Sequence, residues 1–450
     1  MGPFPAHDER RWRMSANPFH LAWFLNGCKV QTWDAPFAGP GGRHLNSAEL
    51  YIDLARSLER SGFDYILLED SSFVPDGYQG SSEAYLKNAY MVPKGDPSVF
   101  ASILTQFTTR LGVIPTLSTS EYQPYMVARL VATLDQTSLG RSGWNMVTGS
   151  SDRAAQNYGL DSLPAHAERY ERAHEFADAV FQLWDSWAPG AIVEDRSTGT
   201  YADHTKVKVV DFVGKYYKTR GPLNVPRSPQ DRPVTVQAGG SPSGRTFASR
   251  WADTIIGSAG TPEQMKEYRD DVRAQTIGHG RTPDDVKVLF LVNVTVGETD
   301  EDAQRQYEAA AAAAYANPID RLLGLGFSVN IDFARFDLDR PFREQAEGLV
   351  TNGHKSVLDA MIARAGDRTI REVLADSGKV DMVGSPDTVA GQMDELMQHV
   401  GGDGFLFTQS NMTRHSWSTI TDGLVPALQR RGVVRREYTH GTFRENLFEF

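Results

Sequence analysis

Short apolar runs alternate with amphipathic stretches along most of this chain. "HLAWFLNG" (His20 to Gly27) is apolar without a helical repeat, and it predicts a strand. "SAELYIDLARSLERSG" follows with Leu50, Leu54 and Leu58 on one face and Ser47 as N-cap, which predicts a helix. The same alternation continues. "DYILLED", "LGVIPTLST", "SGWNMVTG", "PVTVQAG" (Pro233 to Gly239), "DTIIGSA", "VKVLFLVNVTVG" and "GFLFTQS" predict strands. "PSVFASILTQFTTR", "QPYMVARLVATLDQTS", "AHAERYERAHEFADAVFQLWDSW", "SGRTFASRWA", "TPEQMKEYRDDVRAQ" and "DEDAQRQYEAAAAAAYA" predict helices. So do "SPDTVAGQMDELMQHVG" and "STITDGLVPALQRRG". Thr261, Pro262 and Gln264 have the spacing of a capping box with proline at the first helical position.

About eight strand–helix units in one repeating order point to an α/β protein, a (β/α)8 TIM barrel with insertion segments. The strands are continuous apolar runs, as strands buried on both faces should be. A doubly wound sheet with a second domain is the alternative. No G-x-G-x-x-G opens the first strand–helix turn, which disfavours a dinucleotide-binding unit. Residues 1–450 are read as one barrel domain. Two stretches exceed a plain barrel: about 188–232, a small β excursion with a Pro-rich return, and about 316–383, polar loops with helical pieces.

Composition narrows the function classes. The chain has 450 residues, 40% hydrophobic and 23% charged, which is ordinary for a globular protein with a large core. A formal net charge of -11 argues against nucleic acid as partner. The single cysteine, Cys28, excludes an intramolecular disulfide and favours a reducing cytoplasm. The first residues are polar and broken by proline, unlike a secretory signal. No apolar run approaches the roughly 20 residues of a membrane span. The 11 histidines are scattered, with no H-E-x-x-H, so no metal site is expected.

In such a barrel the active site lies at the C-terminal ends of the strands. Those ends carry Asn26 and Cys28, then Glu69 to Ser72, then Thr116 and Ser118 to Ser120. Asn145, Thr148, Ser150 and Ser151 follow, then Gln237 with "GGSPSG", and last Thr408 to Ser410. A rim of neutral donors and acceptors suits a large planar ligand with many heteroatoms, although turns also select small polar residues. Asn145 and Thr148 stand out because they interrupt or end an apolar run. At "QAGGSPSGRTFA" a strand ends in Gly239 and Gly240 and a helix begins near Ser241. Glycines let a ligand approach the backbone, and a helix start attracts an anion. A phosphate fits there, with Ser241 adding a hydroxyl and Arg245 a charge. Trp23, Phe24, Trp33 and Phe37 are candidates for apolar walls, and His166 and His174 for surface or core roles.

"LVATLDQTSLGRSGWNMVTG", "AAQNYGLD", "HAERYERAHEFADAVFQLWDSW", "GKYYKTRGPLNVPRSPQDRPVTVQAGGSPSGRTFASRWAD" and "VPALQRRG" resemble the bacterial luciferase-like flavin monooxygenases. Within them the chain is most similar to the branch of nitrilotriacetate, dibenzothiophene-sulfone and long-chain alkane monooxygenases. The resemblance implies a barrel with insertions that takes reduced FMN from a separate NAD(P)H:FMN reductase and uses O2 to oxygenate a small organic substrate. Cleavage of a C–N or C–S bond can follow. It also implies a cytoplasmic homodimer or homotetramer. Residue by residue, Asp70 falls on the family's flavin-side acid or amide position. Thr116 and Ser118 fall beside the isoalloxazine ring, Asn145 on a ring contact, and Tyr170 and Ser241 on the phosphate. Gly240 joins them from the glycine turn. Ser150 stands where several members carry histidine, and the loop after the first strand, "NGCKVQTWDAP", holds none, so a different substrate is expected. Asn145, Ser150 and Cys28 are the catalytic candidates. Two rivals stay open: a deazaflavin-dependent dehydrogenase of the same barrel class, and a non-catalytic flavin-binding partner subunit.

Overall fold

In the computed structural model, which describes residues 17–26, 47–376, 378, 380–409 and 412–450, eight strands close into a parallel barrel. They are β1 (His20–Leu25), β2 (Tyr65–Leu68), β3 (Gly112–Ser118), β4 (Gly143–Val147), β5 (Val234–Gln237), β6 (Thr254–Gly257), β7 (Lys287–Val292) and β8 (Gly404–Thr408). Each pairs with the strand before and after it, and β1 closes on β8 with His20 opposite Gly404. The expected (β/α)8 barrel is the fold. Ala22, Leu67, Ile114, Val236, Leu289 and Leu406 fill its interior. Their neighbours Trp23, Ile66, Val113, Val288 and Phe405 pack outward under the helices. Burial on both faces is what the continuous apolar runs encode.

The floor is sealed by the last helix, Phe443–Leu447, whose Phe443 and Leu447 enter the interior cluster. Phe443 stacks obliquely on Tyr65, with ring centroids 5.6 Å apart. A Cβ on Gly112 would stand 2.7 Å from the Phe443 ring, so only glycine admits the plug.

Three aspartates stand immediately before β2, β6 and β8. Asp64 accepts the Leu21 N–H at 3.1 Å, Asp253 that of Thr235 at 2.8 Å, and Asp403 that of Val288 at 2.8 Å. Each carboxylate thereby ties its strand to the preceding one. Each also meets arginine: Arg435 and Arg444 at 2.6 Å, and Arg269 and Arg273 both at 3.3 Å. Burial alone would raise the Asp64 pKa, but His20 and Arg435 hold it below the usual carboxylate value.

Four expectations change in detail. The first helix runs Glu49–Ser61 with Ala48 at the cap, and Ser47 Oγ accepts from Glu49 N at 3.4 Å. Thr261 caps Gln264 N as expected, but the Gln264 side chain reaches Gly260 N, one residue too early for a capping box. "VKVLFLVNVTVG" is two strands, because exposed Asn293 separates β7 from Val294–Val296, which leaves the barrel and pairs with Met382–Gly384. The last long helix is continuous from Arg414 to Arg431 but widens into a π turn at Thr419–Leu424, just before Pro426, which cannot donate a helical hydrogen bond.

Within residues 188–232 lie two hairpins, Ile192–Asp195 with Thr200–Ala202 and Phe212–Val213 with Lys218–Thr219. Glu175 anchors the second by accepting from the backbone N–H groups of Lys215, Tyr216 and Tyr217. Within 316–383, helices Ile319–Val329, Lys355–Ala365 and Ile370–Ala375 share a small core around Phe333, Phe342, Leu358 and Met361. Among the described residues no helix is long and apolar enough to cross a membrane.

Candidate active site

Residues with inward alternation on β3 and β4 turn polar toward the mouth. Ile114 is followed on the same face by Thr116 and Ser118, and Gly143 by Asn145. Thr116 and Asn145 are register partners, and Asn145 Nδ2 donates to Thr116 Oγ1 at 2.8 Å. Asn145 is 4% exposed, and its Oδ1 is buried with no donor. An unmet buried acceptor costs about 1–3 kcal/mol.

The other polar residues divide. Ser118 Oγ accepts from Ser120 N at 3.2 Å, and Ser151 Oγ caps the helix Asp152–Asn157 by accepting from Arg153 N at 3.2 Å. Both bonds serve the turns that follow the strands. Ser150 is half-buried beside Gly149, whose φ of +76° makes the turn out of β4. Cys28, Trp33 and Phe37 lie outside the described residues.

The turn after β5 is tightly built. Ser241 Oγ caps the helix Pro242–Trp251 by accepting from Gly244 N at 3.1 Å. A Cβ on Gly239 would stand 2.4 Å from Gln237 Oε1 and 2.7 Å from the Gly244 backbone. The Gln237 Oε1 itself is buried without a donor. Tyr268 donates to the Gly239 carbonyl at 2.8 Å. Tyr170 arrives from the helix His166–Trp184, and its hydroxyl would be 2.9 Å from a Cβ on Gly244. Tyr170, Gly240 and Ser241 are therefore brought together. Arg245 is drawn off: it pairs with Asp271 and donates to the Gly240 carbonyl, so its charge is already matched.

Asp70 lies on another part of the rim. Burial, reinforced by the charges of Glu69 and Glu121, raises its pKa to about 7, against the opposing pull of Lys94. Lys94 is in direct contact with Glu69, and Glu121 accepts from Ser72 Oγ at 3.0 Å. Phe24 faces the interior. Trp23 does not, and packs outward against Phe63 and Phe407, so it is no wall of the mouth. His174 accepts from Trp251 Nε1 at 2.9 Å, and burial lowers its pKa to about 4; it is a packing residue.

One prominent residue escaped the sequence reading. Arg169, beside Tyr170, is 3% exposed, and among the described residues it meets no carboxylate. It donates to the carbonyls of Gly149 and Asn352, and its Nε has no acceptor. The "ERY" triplet gave no sign of this, because Asn352 is remote in sequence.

A closed parallel barrel with polar side chains and a glycine-built helix start at its mouth is the frame of a barrel enzyme, with its site at the C-terminal ends of the strands. The luciferase-like monooxygenase family matches residues 32–404, and the chain belongs to that family. It is accordingly a flavin-dependent monooxygenase. Component A of nitrilotriacetate monooxygenase from Aminobacter aminovorans is 33% identical over 437 residues, covering 94% of each chain. The dibenzothiophene-sulfone monooxygenase of Rhodococcus erythropolis (strain XP) is 34% identical over 450 residues, covering 95% of this chain and 96% of its own. A riboflavin lyase solved with modified FMN and riboflavin superposes with a TM-score of 0.84 at 28% identity, over 96% of both chains.

Proposed function

We propose that the protein is the oxygenating component of a two-component FMN-dependent monooxygenase. Reduced FMN would come from a separate NAD(P)H:FMN reductase. O2 would oxygenate a small organic substrate, with C–N or C–S cleavage where the oxygen lands beside nitrogen or sulfur. The observation that carries this reading is the orphaned Asn145 Oδ1 inside the barrel, below a glycine-built helix start at the mouth. FMN supplies what both lack. Its phosphate suits the N–H groups that open the Pro242–Trp251 helix, and its ring offers N–H donors to Asn145. A relative named as component A and a neighbour holding modified FMN support it further.

In this reading Tyr170, Gly240 and Ser241 hold the phosphate. Asn145, oriented by Thr116, holds the polar edge of the ring. Ser118 and Ser150 line the rim. Asp70, half-protonated near pH 7, can donate or accept a hydrogen bond there. Bound reduced FMN supplies the electrons for oxygen activation. The chain's own residues bind and orient it and keep water away. One cysteine in 450 residues fits a reducing cytoplasm.

The turn at Gly239 and Gly240 offers one compact phosphate site, so FMN should bind in preference to FAD. Calorimetric titration with both flavins tests this. The protein alone should not oxidise NADH with FMN. Adding a generic reductase and a panel of sulfones and N- or S-containing acids should give substrate-dependent O2 uptake. Equal affinity for FAD, or NADH oxidation by the chain alone, overturns the reading.

A further inference from the structure

The second insertion reaches the phosphate turn. Its helix Lys355–Ala365 begins beside Gly240, where a Cβ would stand 3.1 Å from Ser356 Oγ. No side chain caps this helix start; Lys355 N–H donates to the Gly353 carbonyl and Val357 N–H to that of His354, both at 3.0 Å, and the dipole of the helix start still favours an anion beside Ser356. Two helix starts, at Ser241 and at Ser356, thus meet at Gly240.

A second feature at the same junction is Arg169. Its Nη2 donates at 3.1 Å to the carbonyl of Asn352, four residues before Ser356. Asp152, whose charge it feels, is engaged by Asn352 Nδ2 at 2.8 Å and by Leu163 N at 2.9 Å. A guanidinium stays charged, and a buried one without a matching anion is costly. His166 and His354 sit in its field; desolvation first and Arg169 second lower the pKa of each. The junction thus holds one buried guanidinium with no carboxylate in hydrogen-bond contact among the described residues, and an unused donor, Arg169 Nε.

We propose that the insertion completes the phosphate site: Ser356 and Arg169 form the wall facing Gly240, so flavin binding and docking of the insertion are coupled. This rests on the FMN reading above and adds a specific prediction to it. An anion at the turn meets the helix start at Ser356, which lies on the insertion, while Arg169, which lies on a barrel helix, holds Asn352 of the same insertion. FMN should therefore hold residues 319–376 against the barrel, whereas riboflavin, which lacks the phosphate, should not.

The test uses the full chain with oxidised flavins. Wild type, Ser356→Asp and Ser356→Ala are titrated with FMN and with riboflavin. Limited trypsin digestion follows cleavage within 319–376 with FMN, riboflavin or inorganic phosphate present. The expected result is that Ser356→Asp weakens FMN about tenfold or more and leaves riboflavin unchanged. Ser356→Ala should weaken FMN less. FMN and phosphate should slow cleavage of the wild type, and riboflavin should not. If wild type binds FMN tightly and both variants match it, with cleavage indifferent to FMN, the insertion is not part of the site. If wild type binds no flavin at all, the FMN reading itself fails.

Discussion

At the floor of the barrel Asp64, Asp253 and Asp403 each bind a strand N–H and an arginine. At the mouth Arg169 meets no carboxylate among the described residues, Asp70 shares a neighbourhood whose one lysine already contacts Glu69, and Asn145 Oδ1 has no donor. The two ends bury similar chemistry and each leaves arginine Nε atoms without an acceptor, Arg435, Arg269 and Arg273 at the floor and Arg169 at the mouth, but only the floor arginines meet a carboxylate among the described residues. A matched charge ties strands together. An unmatched one lowers stability until a ligand meets it. The floor therefore reads as scaffold and the mouth as binding site, and variants at each end should separate stability from flavin affinity.

The largest effect on stability is expected at the floor. Asp64→Asn removes the buried counter-charge of Arg435, leaving it only the half-buried Glu449 at 2.9 Å, and should cost about 3 kcal/mol in urea unfolding, with unchanged FMN affinity per folded molecule. Because the Asp64 pKa is lowered, its contribution is present above the unfolded carboxylate pKa and lost as pH falls through the folded one. The variant and wild type should converge in acid. A floor variant that lost flavin binding instead would break the contrast.

Ser241→Asp should do the reverse. A carboxylate at the helix start occupies the anion site and repels phosphate, weakening FMN on the order of 100-fold, about 2.7 kcal/mol, while the melting temperature barely moves. Calorimetry beside a thermal melt measures both.

Asn145→Leu sharpens the picture within the mouth. It removes the orphaned acceptor along with the bond to Thr116, so the stability change should stay within about 1–2 kcal/mol. The loosened ring should raise the hydrogen peroxide released per FMN consumed. A variant that melts many degrees lower yet couples normally would make Asn145 structural.

The smallest effect belongs to Asp70→Asn. With the folded pKa raised to about 7, ionising Asp70 weakens the fold as pH rises from the unfolded carboxylate range through 7. The variant should gain on wild type between pH 5.5 and pH 8. For a chain this long the gain is about 1 °C in melting temperature. A constant difference across that range would mean that Asp70 titrates normally.

Parts of the contrast were visible in the sequence. Asn145 interrupts "GWNMV", and a polar residue inside a doubly buried strand marks the mouth. Ser241 after two glycines marked the helix start. Other rim residues carry a double signal: Ser118 and Ser151 accept N–H groups of their own turns, and strand ends need such groups with or without a ligand. Arg245 looked available until Asp271 was placed beside it.

By itself the sequence determined the strand–helix order, the buried face of the first helix at Leu50, Leu54 and Leu58, and hence the barrel, since burial leaves a local periodicity in the chain. Which side of a doubly buried strand faces inward is not in that record, because both sides are apolar. Trp23 therefore pointed outward against expectation. Nor could local pattern show that Phe443 plugs the floor against Gly112, that Arg435 meets Asp64, or that Arg169 binds Asn352. Those partners lie far apart along the chain, and only closing the barrel brings their charges within reach of one another.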